Sequence, residues 1–93
     1  MAESIEETLA ARNKRYGTWR EHARIAQNIK AALRDSPNWE KLTPYMRETF
    51  EMFAQKAGRI LNGDPFYDDS WHDIIGYFQL VENHLKEVEQ PNE

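Results

Sequence analysis

Cysteine is absent from the chain, which removes both a disulfide framework and a thiolate metal site; a structural zinc would have to rely on three histidines and carboxylates. Basic charge is in deficit, with 12 Lys and Arg against 16 Asp and Glu for a formal charge of −4. No field of that sign draws a protein onto DNA phosphates or anionic lipid, so nucleic acid is disfavoured as a partner. No run approaches the ~20 apolar residues of a membrane span. The opening Met1 to Glu7 has neither the basic region nor the apolar run of an export signal, so the expectation is a cytoplasmic protein with no membrane association. Strand-like alternation, repeats and low-complexity tracts are missing as well. What remains is 93 residues, 40% hydrophobic and 30% charged, enough for one domain spanning 1–93 with a thin core that a partner subunit would reinforce.

Helix signals divide the chain into four. Ser4 with Glu7 reads as a capping box opening a helix over 4–16, which Gly17 interrupts. Thr18 with Glu21 opens a second helix, 18–34, carrying Trp19, Ala26, Ile29 and Leu33 at helical spacing. The turn-formers Asp35-Ser36-Pro37-Asn38 then make a loop. Thr43-Pro44 starts a third helix over 44–62, because proline at the first helical position forfeits no amide that the helix would use. Asp64-Pro65 begins another loop, in which Phe66 and Tyr67 are expected to pin the chain to the body. Asp68 or Asp69 then caps a fourth helix over 69–88, and the tail 89–93 is expected to fray.

Short connections favour antiparallel neighbours, giving an all-α, four-helix, up-and-down arrangement. On the third helix Met46, Phe50, Phe53, Ala57, Ile60 and Leu61 share one side, and Glu48, Glu51, Gln55 and Arg59 the other, the side expected to face solvent. On the fourth, Trp71, Ile74, Phe78, Val81, Leu85 and Val88 form the apolar stripe. Gly58 and Gly76 each cost a helix about 1 kcal/mol against alanine, so both are expected at close helix contacts.

Two carboxylate pairs stand out. Glu48 and Glu51 are spaced i, i+3 on one helix, and Asp69 and Asp73 i, i+4 on the next. Clustered carboxylates on facing helices supply the oxygens that Mg²⁺ requires. The plainer alternative is a solvated face plus a helix cap, and the stagger of the two pairs along the helices argues for it. Lys56 and Arg59 are candidates for phosphate contact or for ion pairs between helices. Trp71, Tyr77 and His84 lie on or beside a mixed face suited to an interface or a cleft. His22, His72 and His84 are scattered, with no serine or cysteine at an elbow spacing, so nucleophilic catalysis has no support and the histidines read as surface or boundary groups. Trp19, Trp39, Phe66, Tyr67 and Trp71 have no basic interleaving and read as core and loop anchors.

The segment Lys56-Ala57-Gly58-Arg59-Ile60-Leu61-Asn62-Gly63-Asp64-Pro65, followed by Tyr67 and Asp69-Ser70-Trp71-His72-Asp73-Ile74-Ile75-Gly76-Tyr77, resembles a family of small phage and prophage proteins of unknown function, and Tyr16-Gly17 fits the same pattern. That family in turn is similar to the all-α nucleoside triphosphate pyrophosphohydrolases of the MazG and dimeric dUTPase type. The resemblance implies a MazG-like helical arrangement, a homodimer or homotetramer, and a bacterial host. It also implies Mg²⁺ held by an E-x-x-E pair and an E-x-x-D pair, with Lys56 or Arg59 on phosphate. Glu48 and Glu51 match the first pair. The second pair departs from the pattern, because Ser70 stands three residues before Asp73 and the nearest carboxylate is Asp69. Two functions are therefore expected: a Mg²⁺-dependent nucleotide pyrophosphohydrolase or its degenerate nucleotide-binding relative, and alternatively a non-catalytic protein binding a host or phage protein.

Overall fold

The computed structural model describes residues 4–89, with side chains to residue 87. Four α-helices form: α1, Ile5–Tyr16; α2, Trp19–Arg34; α3, Pro44–Asn62; and α4, Asp68–Glu89, with a single 3₁₀ turn at Trp39–Lys41 between α2 and α3. The starts of α1, α2 and α3 are present for their expected reason. Ser4 Oγ accepts from the Glu7 amide at 3.1 Å, Thr18 Oγ1 from Glu21 at 3.4 Å and Thr43 Oγ1 from Met46 at 3.3 Å. Asp68 and Asp69 depart from their expected capping role: α4 begins at Asp68, and both lie inside its first turn, where their charge complements the helix dipole. No strand forms among the described residues, and none of these helices is long and apolar enough to cross a membrane. The expected tail fraying at 90–93 falls outside the described residues.

Gly17 makes the α1–α2 corner with a φ of +79°, a conformation that side chains resist. Asn62, the last residue of α3, locks that corner by donating from Nδ2 to the carbonyls of Tyr16 and Thr18, both at 2.9 Å. The Asp64 amide donates to Arg15 O at 2.8 Å. The ends of α1 and α3 are thus tied by backbone and amide hydrogen bonds.

α3 is the central layer, with α2 on one side and α4 on the other. Both run antiparallel to it: Arg34 meets Glu51 while His22 meets Gln55, and Tyr45 meets His84 while Lys56 meets Asp73. Phe50 and Phe53 close the α4 side against Phe78, with ring centroids 5.6 and 5.9 Å apart. The face of α3 expected to be solvated is instead the α2 contact. Ala54 is fully buried there, Gly58 lies under His22, and Glu51 and Gln55 find partners on α2.

Three further expectations are corrected. His22 is a buried group, only 4% exposed. A Cβ added at Gly58 would come within 2.9 Å of the His22 ring, whereas one at Gly76 would meet nothing within 4 Å, so only Gly58 marks a helix contact. Trp71, 51% exposed, leaves the core side of α4, where Ser70 is buried instead, and donates its indole N–H to Pro65 O at 2.7 Å. Of the loop aromatics, Tyr67 packs edge-on to Tyr16 while Phe66 projects outward, 89% exposed.

The layering does not close on itself. The radius of gyration is 16.4 Å, where a compact chain of this length has roughly 12 Å. Accessible surface is 7162 Å², against roughly 5,600 Å² for a compact monomer of this mass. Among the described residues no large side chain is fully buried, and ten large apolar ones are exposed, including Ile75, Leu80 and Leu85 on α4.

Candidate functional site

The four carboxylates do not converge. Glu51 turns toward α2, where Arg34 Nη2 donates to it at 2.7 Å and Lys30 Nζ stands 3.9 Å away. Glu48 lies on the α4 side beside Tyr45, Met52, Tyr77 and Leu80, in a hollow of about 240 Å³. Asp69 accepts from the Tyr67 hydroxyl at 2.9 Å, and that hydrogen bond raises the Tyr67 pKa. Asp73 takes Lys56 Nζ at 2.9 Å across the α3–α4 seam. The Lys56 ammonium, first through the hydrogen bond and then through its charge, holds the Asp73 carboxyl below its ordinary pKa, with His72 and Arg59 adding weaker fields.

Glu48 and Asp73 nevertheless line one continuous groove. The hollow beside Glu48 adjoins a second, of about 400 Å³, bordered by His72, Asp73 and Gly76, and the two share Tyr77 and Leu80. Along α3 the level of Asp73 is that of Lys56, two turns or roughly 12 Å from Glu48. His84 packs on Tyr45 near the far end, the ring centroids 5.4 Å apart and the planes tilted by 36°. The groove therefore holds the expected Tyr77 and two of the four expected carboxylates, while Trp71 lies outside it.

Mg²⁺ requires near-octahedral oxygen ligation, and a site of several carboxylates must bring them within a few ångströms. Among the described residues no three His, Asp or Glu side chains do so, and Glu51, Asp69 and Asp73 are each engaged by another group. The residues present do not fit a magnesium centre within one chain.

The two expected phosphate contacts part company as well. Lys56 is committed to Asp73, whereas Arg59 leaves the seam and lies over the Tyr16 ring, 4.5 Å from its centroid. There it joins a cluster that the residue spacing did not single out. Arg12 sits over Tyr16 at 5.5 Å, Arg15 over Tyr67 at 4.5 Å, and Trp19 stacks on His22 at 5.1 Å with the rings 20° from parallel. Tyr16, Trp19, His22, Arg12 and Arg59 enclose a cavity of about 110 Å³ at the α1–α2 corner. His22 Nε2 donates to Gln55 Oε1 at 2.8 Å, leaving Nδ1 buried without a partner beside Gly58. The signal for this cluster was Tyr16-Gly17-Thr18, a helix break flanked by a cap, which places α1's last turn beside α2's first.

No family model, curated protein or solved structure matches the chain.

Proposed function

We propose that this chain is a binding protein on a MazG-like helical scaffold, a degenerate relative of the pyrophosphohydrolases that assembles as a homodimer or homotetramer and does not itself hydrolyse nucleotides. One observation carries the reading: the four carboxylates that the chemistry needs are dispersed, and three of them already have intramolecular partners. Assembly is supported by the surface. The excess of roughly 1,500 Å² per chain over a compact monomer is about twice the ~800 Å² that each partner buries in a standard interface, room for one or two subunit contacts. Leu42, Met46, Phe50, Phe78, Val81 and Leu85 line an apolar hollow of about 300 Å³ continuous with α4's exposed side, where a second subunit would find a partner face. The ligand of such an assembly is a nucleotide bound without turnover, or a host or phage protein.

The hydrolase is the second reading, favoured by the presence of Glu48 and Asp73 along one groove that a second subunit's carboxylates would complete. Incubation with a panel of nucleoside triphosphates and Mg²⁺ separates the two. Binding alone predicts pyrophosphate release at background, unchanged in Asp73→Asn. Mg²⁺-dependent release that Asp73→Asn and Glu48→Gln each abolish overturns it and establishes the hydrolase.

A further inference from the structure

We infer that the cavity at the α1–α2 corner is a binding site for a phosphate monoester carried on a flat ring, a nucleoside monophosphate being the simplest such ligand. The inference rests on the reading of the chain as a binding protein, but it places the ligand away from the α3–α4 groove.

Charge is the first ground. Arg12 and Arg59 both border the cavity and both lie over Tyr16, yet neither has a carboxylate within ion-pair distance among the described residues. Arg59 is half-buried, and a guanidinium held at that depth without an anion is a site prepared for one, since its planar fork suits phosphate oxygens. The other charges nearby leave that field in place. Glu21, the acid in α2's first turn, is bound by Arg24 at 2.6 Å, and Asp73, the carboxylate on which Arg59 acts at longer range, is paired with Lys56.

Helix geometry is the second ground. The cavity lies at the start of α2, with Gly17 and Trp19 in its wall, so it borders the positive end of the α2 dipole. Size and the indole supply the third. A cavity of about 110 Å³ far exceeds the ~10–15 Å³ that one water needs and has room for a phosphoryl group. At its mouth Trp19 is 68% exposed, with one face resting on the buried His22 ring and the other open to solvent. An indole so backed offers a flat ligand a stacking surface already fixed in orientation.

Titration of the full-length chain with adenosine monophosphate, inorganic phosphate and adenosine, followed by ¹⁵N–¹H correlation spectra, tests the assignment. Saturable shifts at Gly17, the Trp19 indole N–H and Arg59 are expected with the monophosphate, with weaker binding of phosphate and adenosine alone. Arg59→Gln and the fully exposed-side variant Arg12→Gln each weaken the monophosphate by roughly tenfold or more, the loss of one charge-assisted pair. Trp19→Ala weakens the monophosphate and leaves phosphate unchanged. Shifts centred on Glu48, Asp73 and Tyr77 overturn the corner site while leaving the chain a nucleotide binder. Absence of any saturable shift, or Arg12→Gln binding as wild type does, overturns it as well. Pyrophosphate release in the separate hydrolysis assay would overturn the binding reading without moving these shifts.

Discussion

Replacing each of the two helical glycines by alanine gives opposite results if α3 is the central layer. At Gly58 the new Cβ meets His22 Cε1 and Nδ1 at 2.9 Å, closer than van der Waals contact allows. The ring is held on two sides: Gln55 holds Nε2 at 2.8 Å and Trp19 covers one face. Overpacking of that kind costs about 1–3 kcal/mol, and the alanine returns about 1 kcal/mol of helix propensity, for a net loss of about 1 kcal/mol. At Gly76 no atom lies within 4 Å of the new Cβ, so only the propensity acts and Gly76→Ala gains about 1 kcal/mol. In a domain of this size each kcal/mol moves Tm by roughly 4–8 °C. Thermal denaturation followed by circular dichroism therefore places Gly58→Ala below wild type and Gly76→Ala above it. Two shifts of the same sign, or a stabilised Gly58→Ala, would refute the layer order and the position of His22.

Other perturbations probe the charges. Glu51→Gln removes the carboxylate from Arg34 and from Lys30, whose side chain is mostly buried, and lowers stability by about 1–2 kcal/mol in urea denaturation; a Glu51 crowded among other metal-site carboxylates would give a gain instead. Asp73, held below its ordinary pKa by Lys56, favours the folded state while ionised, so its contribution is complete above the ordinary carboxylate range and disappears as pH falls through the lowered value. Wild type and Asp73→Asn therefore give parallel stability profiles from about pH 5 to 8 and converge below about pH 4; divergence at neutral pH would contradict the pairing. Phe66→Ser, at an 89% exposed position outside the packing, leaves the unfolding free energy within about 0.5 kcal/mol of wild type.

The boundaries of α1, α2 and α3 were legible because each of these starts has a local cause: Ser4, Thr18 and Thr43 accept from the amide three residues on, and Gly17 and Gly63 follow α1 and α3. The second face of α3 was not. Apolar periodicity marks one stripe per helix, and the α2 contact is made of Ala54, Gly58, Gln55 and Glu51, small or polar residues that carry no such signal. For the same reason His22 read as a surface or boundary residue, although Gly58 makes room for its ring. On α4 the expected stripe holds at Ile74, Phe78 and Val81 and fails at its start, where Ser70 rather than Trp71 is buried.

The candidate site divides along the same line. Spacing identified Glu48 and Glu51 as neighbours on one helix, and they are, but three positions is enough to send one toward α4 and the other toward α2. Which way each carboxylate faces was decided by cations on other helices, Lys30, Arg34 and Lys56, whose partners a linear reading cannot pair. Arg59 read as a phosphate contact or an ion-pair partner between helices. Its departure to Tyr16 depends on the corner that Gly17 and Asn62 build, a contact between distant parts of the chain.

The most direct test of an open three-layer subunit completed by its own copies is sedimentation equilibrium of the full-length chain, run beside Ile75→Lys, a charge placed at a 66% exposed apolar position on α4. Dimers or tetramers of the wild type at micromolar concentration, shifted to monomer by Ile75→Lys with unchanged helix content, are predicted. A wild type that stays monomeric and stably folded across that range would contradict the account.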